Sequence, residues 1–191
     1  MEISLPISDL QSLPMPSPSE LKEQGLNLYR TERYADAAEK FSEAARVFEA
    51  AGDQGAAAEM RNNQGVAHLA LSAWEAALAA VEGTPEMFRA LGDRVREAQA
   101  IANLAAAHDG AGHVEQAAEL YVEAIDRFGE LGEKENRAAC FKKLSALQIK
   151  QGQQLQALAS MRSGLNLSPE LSAKEKTLKA MLDKAMKMIG K

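Results

Sequence analysis

Residues 99–133, QAIANLAAAHDGAGHVEQAAELYVEAIDRFGELGE, decide the reading of the whole chain, because the rest can be laid over them in steps of 40 residues. Ala105 falls on Gly25, Gly65 and Ser145, and Ala117 falls on Ala37, Ala77 and Ala157. Self-similarity at one fixed period marks a solenoid, in which each unit buries its apolar face only by stacking on its neighbours. The chain therefore reads as one elongated body rather than as separate globules. It is 46% hydrophobic but only 5% aromatic, and its abundant Ala, Leu, Glu and Gln favour helix over strand. The expected class is all-α: a right-handed α-solenoid of four helix pairs with a C-terminal capping helix.

Working outward, each unit has the same punctuation. Gly52, Gly92 and Gly132 stand in AGD, LGD and LGE, where the Gly can end one helix in the left-handed conformation and the acid can cap the next. The first helix opens at Ser17-Pro18-Ser19-Glu20. There Ser17 can cap, Pro18 sits where its missing N–H costs nothing, and Glu20 can complete a capping box. Leu21, Gln24, Gly25 and Leu28 share one face of that helix, and Tyr34, Ala37, Phe41 and Ala44 share one face of the next, each set spaced by three and four. The units are expected at 17–53, 54–93, 94–133 and 134–168.

These residues resemble the tetratricopeptide repeat, a helix pair with a small residue in its first helix and Ala-x-x-x-aromatic-x-x-Ala in its second. The third copy carries Leu104, Ala105, Gly112, Ala117, Tyr121 and Ala124, and the first carries Gly25, Tyr34, Ala37, Phe41 and Ala44. The second has Gly65, Trp74, Ala77, Val81 and Thr84; the fourth, more degenerate, has Leu144, Ser145, Gly152, Ala157, Met161 and Gly164. The 40-residue step, against the usual 34, is similar to the long-helix branch of that family, which includes the repeats of kinesin light chains.

Pro85 breaks the pattern. It falls within the second helix of the second copy, where it removes a hydrogen bond and crowds the carbonyl of Val81, so a kink or break is expected. Thr84 is a candidate cap for a restarted segment, and drift on an outer surface is the simplest account of it. After Ser168 and Pro169 comes the last segment, 169–191, whose apolar stripe is Leu171, Leu178, Met181, Leu182, Ala185, Met188 and Ile189, with Ser172 and Glu175 as a further cap. At the other end, residues 1–16 with Pro6, Pro14 and Pro16 read as an extended arm, one side of which carries Ile3, Leu5 and Ile7.

Charge narrows the partners. Residues 172–191 hold six Lys against Glu175 and Asp183, leaving sixteen basic against twenty-five acidic residues elsewhere. An acidic body lacks the clustered cations that nucleic acid requires, so nucleic acid is not expected as a partner. No apolar run is long enough for a membrane span, and the basic terminal helix is at most a peripheral anchor. A single cysteine, Cys140, fits a cytoplasmic protein.

No phosphate-cradling loop, metal-ligand spacing or nucleophile–base pattern is visible, and neither a cofactor nor a metal is expected. His68 and His108 lie one repeat apart and are expected to stack between helix pairs; His113 is expected in a solvated turn, and Cys140 in or beside the core. What remains is a binding surface. In such a stack the first helices line the inner side, and their residues not spent on packing are Lys22, Glu23, Leu26 and Tyr29; Glu59, Asn62, Asn63 and Val66; Gln99, Asn103 and Ala106; and Lys142, Lys143, Ala146 and Lys150. Val66, Ala106 and Ala146 leave room for a ligand. Asn63 and Asn103 are equivalent, and each amide offers one donor group and one acceptor to a peptide unit; the resemblance implies the same, since Asn grips peptide backbone in the long-helix relatives. Lys142 and Lys143 could attract acidic residues. Leu26 and Ala102 stand where a carboxylate clamp for chaperone tails needs polar residues. The expected function is a non-catalytic adaptor that binds a peptide or helical segment of another protein; the alternative is a self-associating assembly subunit whose N-terminal arm fills a groove.

Overall fold

Wherever the sequence has a 3.6-residue apolar rhythm the chain is helical. A computed structural model describes residues 16–189, with side chains described to residue 188, and every regular element among them is an α-helix. In order they are α1 (Pro18–Arg30), α2 (Tyr34–Ala50), α3 (Gln54–Ala70), α4 (Trp74–Val81), α5 (Thr84–Ala90), α6 (Arg94–Gly110), α7 (Val114–Leu131), α8 (Lys134–Lys150), α9 (Gln154–Leu167) and α10 (Ala173–Ile189). Each helix packs on the one that precedes it and the one that follows, apart from the α4–α5 break, and α3 also meets α6. This is a helical solenoid of tetratricopeptide-like helix pairs. The arm with Ile3, Leu5 and Ile7 lies outside the described residues, as does the Ile189 side chain.

The turns obey one rule. The chain passes through a left-handed residue at 32, 72, 112 and 152 between the helices of a pair, and at 52, 92 and 132 between pairs. Glycine fills five of these positions, while Glu32 (φ 60°) and Ser72 (φ 56°) adopt the same backbone without that freedom. Asp53 and Asp93 then cap α3 and α6, accepting from the amides of Ala56 at 2.9 Å and Arg96 at 3.0 Å. Glu133 does not cap α8. Its longer side chain reaches past the backbone and accepts instead from Nδ2 of Asn136 at 3.1 Å. At α1 the capping box is complete: Oγ of Ser17 accepts from the Glu20 amide at 3.2 Å, and Glu20 accepts from the Ser17 amide at 2.7 Å.

Within each pair a small residue on the first helix meets a large one on the second. A Cβ added to Gly25 would sit 2.6 Å from the Phe41 ring, and one added to Gly65 would sit 2.1 Å from Cγ1 of Val81. Ala105 and Tyr121 repeat this relation in the third pair, both buried in one cluster with Ile101, Ile125, Phe128 and Leu144. The first cluster holds Leu21, Phe41 and Met60.

In the second pair the core is divided. Ala77 and Val81 gather with Ala107, while Phe88 gathers separately with Ala58 and Ala100. The cause is Pro85, which breaks the helix rather than bending it. Gly83, at φ 78°, precedes α5 and takes the cap position, so Thr84 is not the cap. The Thr84 hydroxyl instead donates to the Val81 carbonyl at 2.7 Å, supplying the bond that a proline nitrogen cannot make. Thr84 and Pro85 are both buried, so the break belongs to the interior and is not drift on an outer surface.

The last helix covers the stack only in part. Ser172 and Glu175 form a second capping box, Leu182 is buried, and Arg162 donates to Asp183 at 2.5 Å, tying α9 to α10. Leu178, Met181 and Met188 of the expected apolar stripe remain exposed. A helix packed mainly on one neighbour buries one side of a stripe, and α10 packs chiefly against α9. No helix among the described residues is long and apolar enough to cross a membrane.

Candidate functional site

A shallow depression of about 360 Å³ bridges α3, α6 and α8. Asn62, Asn63 and Val66 come from α3; Gln99, Ala102 and Asn103 from α6; Asn136, Ala139 and Cys140 from α8; and Phe128 of α7, itself buried, also lines it. Each first helix turns a strip of polar residues outward because its apolar residues are used against its partner helix. Five side-chain amides thus surround a small apolar floor.

The geometry of the amides decides what they can offer. Nδ2 of Asn103 donates to Oδ1 of Asn62 at 3.1 Å, a bond between α3 and α6. Among the described residues that leaves the Asn62 NH2 and the Asn103 side-chain carbonyl without a further bond, one donor group and one acceptor. Asn136 has one donor on Glu133 and keeps its carbonyl. Beside them Cys140 is buried, and its thiol is pushed up to about 11 by burial, so it is neutral and unreactive near neutral pH.

The depression does not follow the 40-residue equivalence. Asn62, Gln99 and Asn136 are separated by steps of 37, and so are Val66, Asn103 and Cys140. Helices that cross at an angle bring residues about one turn earlier opposite each other at every step. Of the residues expected to face a partner, Asn62, Asn63, Val66, Gln99 and Asn103 line the depression. Asn136, Ala139, Cys140, Ala102 and Phe128 also line it; the signal that finds the first three is the 37-residue step.

Other expected positions are placed elsewhere. Lys22 pairs with Glu59 at 2.6 Å, and Glu59 lies 3.6 Å from Arg96, so these charges satisfy one another. Leu26 and Tyr29 pack against the first core cluster, and Tyr29 meets the edge of Tyr34 with ring centroids 5.1 Å apart. Ala106 packs against the third-pair core. Lys142 lines a separate cavity of about 460 Å³ between α8, α9 and α10, whose rim carries Glu135, Glu170 and Glu175. Lys143 and Ala146 are exposed beyond it, as is Glu23. Lys150 pairs with Asp109 at 2.8 Å.

His68 and His108, equivalent in sequence, meet different neighbours. Nδ1 of His108 lies 3.1 Å from Nδ1 of His113, which is therefore engaged rather than merely solvated. The short turn between α6 and α7 brings this nearer ring within reach, whereas His68 lines openings beside α2 and α4. Among the described residues no three His, Cys, Asp or Glu side chains converge as a metal would need.

One four-charge cluster holds the middle of the stack. Glu97 is 3% exposed and accepts from Nε of Arg89 at 2.7 Å, with Arg127 at 3.6 Å; Glu123 lies 3.6 Å from Arg89 and 3.5 Å from Arg127. It joins α5, α6 and α7. The hydrogen bond to Glu97 chiefly raises the Arg89 pKa, so this cation is fixed at all working pH values.

Comparison with solved structures gives the same architecture. BtubC from P. vanneervenii superposes with a TM-score of 0.72 at 20% identity, covering 85% of this chain and 72% of that one. A MamA RS-1 ArsTM double mutant superposes with a TM-score of 0.62 at 18% identity, covering 78% and 74%. At such identities the likeness concerns the fold alone. No curated protein matches the chain significantly. The family model for the soluble NSF attachment protein, SNAP, matches residues 17–183, from the first capping box to the ion-paired Asp183. The resemblance to tetratricopeptide repeats thus holds for the architecture, and by descent the chain belongs to the SNAP family.

Proposed function

We propose that this protein is a non-catalytic interaction scaffold that holds an extended segment of another protein against the amide row of α3, α6 and α8. The supporting observation is the pairing of Asn62 with Asn103, which aligns one free donor group and one free acceptor over an apolar floor. A peptide backbone requires such alternation, and a small apolar side chain can rest on Phe128 and Ala102. The charges flanking the row are paired among themselves, so binding draws mainly on amide hydrogen bonds and apolar contact. Each such bond contributes about 0.5–1.5 kcal/mol net, which gives a modest affinity. The family carries the name of an attachment protein, and a part played by binding another protein agrees with that name.

The test begins by selecting binding segments from a random peptide library with the intact chain, then measuring the best by fluorescence anisotropy. Replacing Asn63 and Asn103 together by Ala is expected to weaken binding about tenfold or more, at roughly 1 kcal/mol per lost bond. Replacing Gln99 and Asn136 should act in the same direction, whereas replacing Lys143 should not. Selected segments whose affinity survives both amide double substitutions would place the binding surface elsewhere.

A further inference from the structure

Among the described residues, the outward faces of α7 and α10 are exposed, and their charges are opposite. On α7 the residues Glu115, Glu119, Val122 and Asp126 are spaced by four, three and four, which puts them in one line along the helix. All four are exposed, Val122 at 46%, and the three acids take part in no ion pair among the described residues. The other acids of α7 behave differently: Glu123 is held by Arg89 and Arg127, and Glu130 is held by Arg94. Four of the five acids on this helix, Glu123 excepted, are exposed, and its single cation, Arg127, turns inward to Glu97.

On α10 the residues Lys176, Ala180, Lys184 and Lys187 are spaced by four, four and three, with Met181 and Met188 beside them on the same outward side. Lys176, Lys184 and Lys187 are in no ion pair among the described residues, and the two methionines are 65% and 71% exposed. The acids of this helix are occupied, Asp183 by Arg162 and Glu175 by the Ser172 cap.

We propose that the outward face of α10 docks on the outward face of α7 of a second copy of this chain. The two lines have the same length, twelve residues each, Glu115 to Asp126 and Lys176 to Lys187, roughly 16 Å at the helical rise. Run antiparallel, Lys187 meets Glu115, Lys184 meets Glu119, Lys176 meets Asp126, and Met181 with Ala180 covers Val122. Like faces exclude each other, since two α10 helices or two α7 helices would place equal charges in contact. The pairing is therefore between unlike helices. It closes into a two-fold dimer when both copies exchange it and extends into a head-to-tail chain when they do not. Exposed ion pairs are individually weak, so the association is concentration-dependent and is weakened by salt. It uses neither the amide row nor its partner peptide, and it can succeed or fail independently of them.

Sedimentation velocity of the intact chain over a concentration series, at low and high salt, tests the proposal. Self-association at low salt that declines at high salt is expected. The variant Lys176→Glu/Lys184→Glu/Lys187→Glu and the variant Glu115→Lys/Glu119→Lys/Asp126→Lys should each lose it by about tenfold or more, with circular dichroism unchanged because all six positions are exposed. An equimolar mixture of the two variants should associate again, since each then offers a charge opposite to the other's. Met181→Glu provides a second readout and should weaken association alone. A monomer at every concentration, association indifferent to either triple variant, or loss with the α10 variant but not the α7 variant would overturn the proposal. In the last case α10 has another surface as its partner, and anionic vesicles would identify a lipid one.

Discussion

Cγ1 of Val81 lies 2.1 Å from where a Cβ on Gly65 would stand. Gly65→Ala therefore forces the side chain or the helix to move, which costs about 1–3 kcal/mol as overpacking does. The double substitution Gly65→Ala/Val81→Ala should recover part of that loss by trading one group for another. Urea unfolding of the four proteins measures the coupling, and additive effects would show that the contact is not what requires glycine.

Ser72 occupies the left-handed position that Gly112 fills one repeat later. A left-handed non-glycine residue costs about 1–2 kcal/mol locally, and the extra freedom of glycine in the unfolded chain offsets about half of what is regained. Ser72→Gly should accordingly raise stability by roughly 0.5 kcal/mol, and Gly112→Ala should lower it by about 1 kcal/mol. Thermal unfolding monitored by circular dichroism distinguishes the two signs.

Glu97 is the most buried charge in the ion-pair network. Arg89→Met strands a buried carboxylate with only Arg127 near it and should lower stability. Glu97→Gln leaves two cations that reach solvent and should cost less. An inverted order in denaturant titrations would mean that Arg127 alone satisfies the carboxylate.

Acid should destabilise the protein in two stages. Burial holds the pKa of His68 below its ordinary 6.5, and burial followed by the nearby His113 does the same for His108. The unfolded chain therefore takes up protons first, and stability contributed by the neutral rings is full above 6.5 and falls as pH drops below it. Glu20 is lowered first by the Ser17 backbone hydrogen bond and Glu175 first by the Ser172 side chain, each from 4.5, so their contribution holds above 4.5 and is lost as pH falls through the lowered folded values. His68→Gln should flatten the upper stage only. Glu20→Gln with Glu175→Gln should flatten the lower one, as read from unfolding midpoints across a pH series.

Packing within a repeat was legible because it is periodic: Gly25 with Phe41 and Ala105 with Tyr121 stand at one spacing in the sequence, and Ser17 with Glu20 spells a cap directly. Relations between repeats were less so. The angle at which α3 crosses α6 appears in no residue identity, and it is this angle that brings Asn62 to Asn103 and shifts the row to Asn136. Lys142 illustrates the same point, since it lines the cavity that α10 helps to form, and the placement of α10 is not written in the repeat. At Pro85 the sequence announced a disruption, but the mode of repair depended on the Thr84 hydroxyl reaching Val81. A hydroxyl read as a cap from its position served instead as a substitute donor.

The oblique amide row fixes a pitch. A chain touching Asn62, Gln99 and Asn136 in turn must advance one helix spacing per contact, about 8–10 Å. Two residues of an extended strand cover only about 6.7 Å, whereas three residues of a polyproline II helix cover about 9.3 Å. A ligand that used every amide in register would then present its contacts at each third residue, and its own sequence would carry a period of three.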